Sequence, residues 1–201
     1  MKVLSVLICS LPEPHYTQKL GRLMDVLTPQ VSDNVEVIVD DGGRGTPTGT
    51  KRNNLIGRAS GDYIVFVDSD DLVADSYISD ILYGLQGSPD CVTFRGWMTT
   101  NGGARRDWTI RLGSDYVERD GHFYRWPNHI SVMKKSLVKD IQFPALWQQE
   151  DYIWSKMIHD RKILKTEHHI DKQLYHYDYW DNKNKKPNAE VEKLVRRSRL
   201  R

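Results

Sequence analysis

An α/β fold is predicted, with a mainly parallel central sheet flanked by helices and a small antiparallel part toward the C-terminus. Three observations predict it. Residues 63–67 (Tyr-Ile-Val-Phe-Val) form an unbroken β-branched and aromatic run, which reads as a central strand buried on both faces. That run and an earlier one, residues 35–39, both stop on carboxylates: Asp68, Asp70 and Asp71 in one case, Asp40 and Asp41 in the other. Strand and helix patterns alternate as far as residue 98, after which turn formers separate short β segments, an order that suits parallel strands followed by antiparallel ones.

The elements follow in order. Residues 3–9 supply the first strand; they run straight into Pro12-Glu13-Pro14 without a small-residue cleavage site, which favours a core strand over a signal peptide. Residues 16–27 place Leu20, Leu23, Met24 and Leu27 at helical spacing, and Thr28-Pro29 ends that helix. After the second strand, residues 44–54 form a loop of turn formers that enters a helix reaching Ala59, with Thr48 or Thr50 as its N-cap. Lys51 and Arg52 fall at the helix start, where N–H groups and cations suit an anion; the P-loop signature is absent, and a solvated basic turn is an equal reading.

Residues 75–85 read as a helix and residues 91–97 as a strand. Asn101-Gly102-Gly103 turns, residues 107–110 and 122–126 read as short antiparallel strands, and Pro127 closes them. Residues 129–132 and 134–138 give a strand and a helical turn. Residues 148–158 give a helix opening on Glu150-Asp151, where acids also complement the helix dipole. Residues 165–170 and 173–177 are two closing strands carrying His168, His169 and His176; a lone histidine is seldom a metal ligand, and spacing does not choose among them. Five of the six Trp lie between Trp97 and Trp154, either filling a core, the favoured reading, or lining a ring-binding site.

At 201 residues, with 39% hydrophobic and 28% charged residues, the chain is ordinary for one soluble domain with a small appendage. No apolar run approaches the roughly 20 residues a membrane-spanning helix needs. Cys9 and Cys91 read as buried free thiols, as expected of a cytoplasmic protein. The net charge of +2 is uneven: residues 183–201 hold eight Lys and Arg against two Glu, a local +6 that leaves the rest at −4. Such a tail suits an anionic partner: nucleic acid, an acidic polysaccharide, or an anionic membrane surface with peripheral attachment. A terminal helix with solvated charges is the plainer alternative.

The acids carry the chemistry. Asp68, Asp70 and Asp71 repel one another unless donors or a cation offset them, so a divalent metal is the economical explanation and a helix cap the alternative. Ligands bind at strand C-termini in open α/β sheets. If the two acid-ended strands are adjacent and parallel, Asp40 or Asp41 and the Asp68 group therefore face one crevice.

Together, the strand ending near Ser10, Val39-Asp40-Asp41-Gly42, Lys51-Arg52-Asn53, the stretch 59–71, Glu150-Asp151 and Leu174-Tyr175-His176-Tyr177 resemble the family 2-like glycosyltransferases of GT-A fold, over residues 1–180. The resemblance implies a Rossmann-like catalytic domain, 1–180, with a nucleotide-sugar-binding half, 1–98, and an acceptor and catalytic half, 99–180; residues 181–201 are then a basic tail. It implies a hexosyltransferase with a nucleotide-diphosphate-sugar donor, inversion at the anomeric carbon, and Mn²⁺ or Mg²⁺. On this basis Ser10, Asp40, Asp41, Lys51, Arg52, Asp68 and Ser69 bind the nucleotide sugar, with Asp40 or Asp41 at the base and Asp68 at the ribose. Asp70 and His176 hold the metal, and Asp151, with Glu150 beside it, is the general base. Carboxylates suit both tasks, as hard ligands for a cation that neutralises a leaving diphosphate and as bases toward a hydroxyl. The chain departs from the family where Gly43-Arg44 stands in place of a serine or threonine after Asp-Asp-Gly.

The expected acceptor is a glycan or glycolipid. The alternative is a modified base in nucleic acid, which Arg105, Arg106, Lys134 and Lys135 would serve from a shared face. A nucleotide-sugar-binding module without turnover is the competing class, disfavoured by the intact acids. A nucleotidyltransferase ranks last, lacking a Gly-rich phosphate loop after the first strand.

Overall fold

The computed structural model describes residues 2–180; the expectations for the basic tail and its anionic partner lie outside the described residues. The first half runs β1 (Leu4–Cys9), α1 (Pro14–Leu27), β2 (Val35–Asp40), α2 (Thr48–Arg58) and β3 (Tyr63–Phe66). β1 pairs in parallel with β2 on one edge and β3 on the other, Leu4 lying opposite both Val35 and Tyr63. Ser10, Asp40 and the acids after Phe66 therefore leave the sheet at one end.

Side chains alternate across these strands. Leu4, Val6, Ile8, Tyr63 and Val65 pack toward Leu23 and Leu27 of α1, while Leu7, Ile64 and Phe66 pack toward Leu55 and Ile56 of α2. A strand covered on both faces has no polar side, which is why residues 63–67 are unbroken. Pro14 opens α1 at a position where its missing N–H leaves no helical bond unmade.

The second half runs β4 (Leu72–Val73), α3 (Tyr77–Gly84), β5 (Cys91–Thr100), β6 (Arg106–Ile110), β7 (Val117–Arg119), β8 (His122–Arg125), β9 (Val132–Lys134), α4 (Lys135–Val138), α5 (Glu150–Asp160) and β10 (Glu167–Tyr179). The strand order is β2-β1-β3-β9-β5-β6-β8-β7, with β10 on the free edge of β5 and β4 beyond it. Among the described residues no helix is long and apolar enough to cross a membrane.

The mainly parallel sheet is as expected, with one antiparallel neighbour, β9, beside β3. Several expectations are corrected. β6 and β8 are parallel, not antiparallel, because an unforeseen strand, β7, lies between them in the chain. A turn at Asp120-Gly121, both at positive φ, folds β7 back on β8 and delivers β8 alongside β6. The two closing strands are one strand, β10, parallel to β5; the polar Asp171-Lys172 that looked like a break is an irregularity in its register. α2 has Pro47, not a threonine, at its N-cap, and Thr48 Oγ1 instead donates to the Trp147 carbonyl at 3.2 Å. The tryptophans divide: Trp108 and Trp154 are buried in the core, whereas Trp147 is 49% exposed.

α2 and the segment before α5 are fastened together. Asn53 Nδ2 donates to the Phe143 carbonyl and Asn53 Oδ1 accepts the Phe143 N–H, both at 2.9 Å. Gly49 lies under Pro144, so close that a Cβ there would meet the Pro144 carbonyl oxygen at 1.8 Å. Phe143 stacks on Trp154 with ring centroids 4.4 Å apart, and Trp154 Nε1 donates to the Ile141 carbonyl. These contacts bring the start of α5 to the carboxyl end of the parallel strands.

Candidate active site

Two shells of polar groups meet where β1, β2 and β3 end. The first surrounds Lys51, whose stem is buried in the first turns of α2 and whose ammonium donates to the carbonyls of Ser10, at 3.0 Å, and Gly42. The Ser10 N–H donates to the Asp40 carbonyl at 2.8 Å, and Asp40 Oδ1 accepts the Gly42 N–H at 3.1 Å. Lys51 thus draws the loops after β1 and β2 together. Ser10 Oγ is buried with no protein partner, Asp41 is exposed, and Ser69 is buried behind the rim.

The second shell is a chain of charges of alternating sign. Arg52, 4% exposed, donates from Nε to Glu150 Oε1 at 3.1 Å and from Nη2 to Asp68 Oδ1 at 2.8 Å. Its guanidinium carbon also lies 5.0 Å from the centre of the Phe66 ring. The other Asp68 oxygen lies 3.2 Å from His129 Nε2, and His129 Nδ1 lies 3.3 Å from Asp151 Oδ2, without hydrogen-bond alignment. Glu150 and Asp151 open α5, next to Gln149 in the left-handed backbone region at φ 64°. A non-glycine residue there is strained by about 1 kcal/mol, and such strain gathers at functional sites.

Burial pushes the Asp68 carboxyl up, but Arg52 and His129 hold it well below the usual carboxylate range. Burial works against the Arg52 charge too, and Asp68 foremost among its neighbours more than offsets that. Glu150 is raised by burial, with the Arg52 attraction only partly opposing it. Burial pushes the Cys9 thiol up to about 12, so this free cysteine at the crevice wall is a neutral, unreactive group.

The other two acids of the cluster differ from Asp68. Asp71, 1% exposed, accepts Tyr175 Oη at 2.6 Å and the Asp178 N–H at 3.0 Å, and burial followed by Asp68 and Asp70 pushes it well above the usual range. Tyr175 Oη also accepts the Asp68 N–H at 3.1 Å, so one buried phenol shapes the whole turn. Asp70 faces outward, its side chain 41% exposed and 3.7 Å from Lys19; burial and then Asp68 raise it.

His176 stacks on Trp97 and lies 3.0 Å from Thr99 Oγ1. It and Asp70 both feel the charge of Asp178, yet among the described residues no three His, Cys, Asp or Glu side chains gather as a ready metal cluster.

The structure thus brings Ser10, Asp40, Lys51, Arg52, Asp68, Glu150 and Asp151 together, with Asp70 at the rim. It does not bring together the four cations that would serve a nucleic acid from a shared face. Lys134, at the end of β9, lies beside the start of β5 with its N–H on the Asp90 carbonyl, whereas Arg106 pairs with Met98 near the other end of β5 and is bonded to Glu118. The residues that sequence reasoning missed are His129, Tyr175 and Tyr177. Desolvation and then the charges of Asp71, Asp68, Asp151 and Asp70 raise the Tyr177 hydroxyl, so it too borders the crevice. Only the Tyr-His-Tyr pattern of the last strand signalled the tyrosines; nothing marked His129, which opens the run 129–132 read as a strand but lies in the turn before β9.

The family model for Glycosyl transferase family 2 matches residues 23–140. No curated protein sequence matches the chain. Among solved structures, S. aureus TarS 1-349 in complex with UDP-GlcNAc superposes with a TM-score of 0.69 at 17% identity, over 100% of this chain and 66% of that one. A longer S. aureus TarS chain gives a TM-score of 0.65 at 16% identity, over 100% of this chain and 39% of that one. Glucosyl-3-phosphoglycerate synthase from Mycobacterium tuberculosis, in complex with Mn²⁺, UDP and phosphoglyceric acid, gives 0.55 at 14% identity, over 98% of this chain and 75% of that one. The chain spans less than two thirds of either TarS chain. At these identities the likeness is one of fold, and the shared α/β architecture is the GT-A fold.

Proposed function

The chain belongs to glycosyl transferase family 2, and on that premise we propose that it moves a sugar from a nucleotide-diphosphate-sugar donor to an acceptor hydroxyl, with inversion at the anomeric carbon. The observation that carries the proposal is the convergence of Lys51, Asp68, Asp70 and the Glu150-Asp151 pair at the carboxyl end of three parallel strands. UDP is the nucleotide to test first, since two of the structural relatives were solved with UDP or UDP-GlcNAc.

The loops after β1 and β2, tied by Lys51, receive the nucleoside, with Asp40 or Asp41 toward the base and Asp68 toward the ribose. Asp70, with His176, would hold Mn²⁺ or Mg²⁺, which when bound neutralises charge on the leaving diphosphate. Asp151 takes the proton of the acceptor hydroxyl. The acceptor oxygen then bonds to the anomeric carbon, the bond from that carbon to the diphosphate oxygen breaks, and its electron pair leaves with the nucleoside diphosphate. Glu150, bound to Arg52, stabilises and orients rather than accepting the proton. The acceptor is a glycan or glycolipid hydroxyl.

The test is hydrolysis of UDP-N-acetylglucosamine and UDP-glucose with Mn²⁺, water standing in for the acceptor. Asp151→Asn is expected to lower kcat by about two orders of magnitude or more, with donor affinity little changed. A near-normal rate in Asp151→Asn together with a collapse in Glu150→Gln would reverse the two roles.

A further inference from the structure

Asp151 begins a helix and is 36% exposed on its side chain, and among the described residues only His129 lies within ion-pair distance of its carboxylate. A base at the mouth of a crevice needs a fixed direction, because a misplacement of about 1 Å costs on the order of 100-fold in rate. His129 is equipped to supply it. Its carbonyl accepts the Phe66 N–H at 3.1 Å, continuing the edge of β3. The turn that carries it is closed by the Ser131 N–H on the Asn128 carbonyl, the Ile130 N–H on Asn128 Oδ1 and the Asn128 N–H on Ser131 Oγ. The ring, in a residue only 8% exposed, spans from Asp68 Oδ2 to Asp151 Oδ2 and touches each with a different nitrogen.

Resting on the transferase reading above, we propose that His129 is a positioning residue that joins Asp68 and Asp151 into one unit, so that the carboxylate facing the donor also aims the base. The geometry is cyclic. Glu150 and Asp151 are neighbours in the chain, and both are tied back to Asp68, one through Arg52 and the other through His129. Arg52 is locked by two carboxylates and an aromatic face, whereas His129 holds the half of the cycle that opens to solvent. The main-chain bonds of His129 survive loss of its ring, so the side chain can be removed without dismantling the turn.

The experiment is a double-mutant cycle on hydrolysis of UDP-N-acetylglucosamine and UDP-glucose with Mn²⁺, using wild type, His129→Ala, Asp151→Asn and the double variant. His129→Ala is expected to lower kcat about tenfold or more with donor KM within about twofold, and His129→Gln to recover part of the loss. In the Asp151→Asn background the same change is expected to alter kcat less than about twofold, because the group being aimed is gone. Equal losses in both backgrounds, or a loss confined to KM, overturn the proposal while leaving the transferase reading intact. Wild type that hydrolyses neither donor overturns that reading and this proposal with it. A measurement without donor checks the bridge itself: the NMR signals of the His129 ring should move in Asp68→Asn and in Asp151→Asn, and a ring that senses only one of the two sinks the idea.

Discussion

At the N-terminal ends of β1, β2 and β3, Glu36 accepts Ser5 Oγ at 2.5 Å, the Ser60 N–H at 2.6 Å and Ser60 Oγ at 2.8 Å, while Ser5 Oγ accepts the Gly61 N–H at 2.9 Å. At the C-terminal ends of the same strands Ser10 Oγ and Arg52 Nη1 are buried without a hydrogen-bond partner, and Asp70, Asp71 and Glu150 are all raised. Buried polar atoms without partners are rare because each costs about 1–3 kcal/mol. One end of the sheet is closed on itself; the other keeps donors and crowded charges in reserve for what binds there.

Four substitutions probe that contrast, from the largest expected effect on stability to the smallest. Arg52→Met leaves Glu150 in a buried site without a counter-charge and Asp68 with only His129, and urea unfolding should show a loss of about 3–5 kcal/mol. A loss below about 1 kcal/mol would mean that water already reaches the acids and the charge cycle is loose. Gly61→Ala attacks the closed end, since a Cβ there would lie 2.7 Å from Ser5 N and 2.9 Å from Leu4 C. About 2 kcal/mol is expected for this overpacking, and a neutral substitution would show that the closed end yields.

Glu36→Gln is expected to lose about 1 kcal/mol near neutrality. Burial pushes the Glu36 carboxyl up, but the Ser5 and Ser60 bonds bring it below its usual value. A carboxyl lowered by folding contributes stability that is fully present above its unfolded value and is lost as pH falls through the folded one. The acid limb of the stability profile should therefore be shallower in Glu36→Gln than in wild type, and coincident profiles would remove Glu36 from the account. Asp70→Asn should leave stability within about 0.5 kcal/mol or raise it slightly, because burial and Asp68 already disfavour the Asp70 charge. The same variant should abolish the Mn²⁺-dependent part of UDP binding in calorimetry, and unchanged metal-dependent binding would take Asp70 out of the metal site.

The legible parts of the sequence were those written in local period. The run 63–67, the helical spacing from Leu20 to Leu27 and the acids after two strands depend on near neighbours, and each marks an element that the structure contains. Pairing partners were harder. β7 has three residues, two of them exposed, and too little apolar pattern to declare itself; only the Asp120-Gly121 turn marks the hairpin. Asp171-Lys172 looked like the end of a strand because register is set by β5 rather than by the residues themselves. In the site, Asp68 stood out by type and place. Its partners did not, since His129 reaches it across 61 residues and Tyr175 across 107, and neither separation leaves a mark in the sequence.

Tyr175 also sets the timing of assembly. A chain leaving the ribosome offers Asp68 and Asp71 long before the phenol that shapes their turn, and β10 is the last strand of the described residues to be made. The crevice is thus completed only once β10 has been made, after every other strand of the described residues.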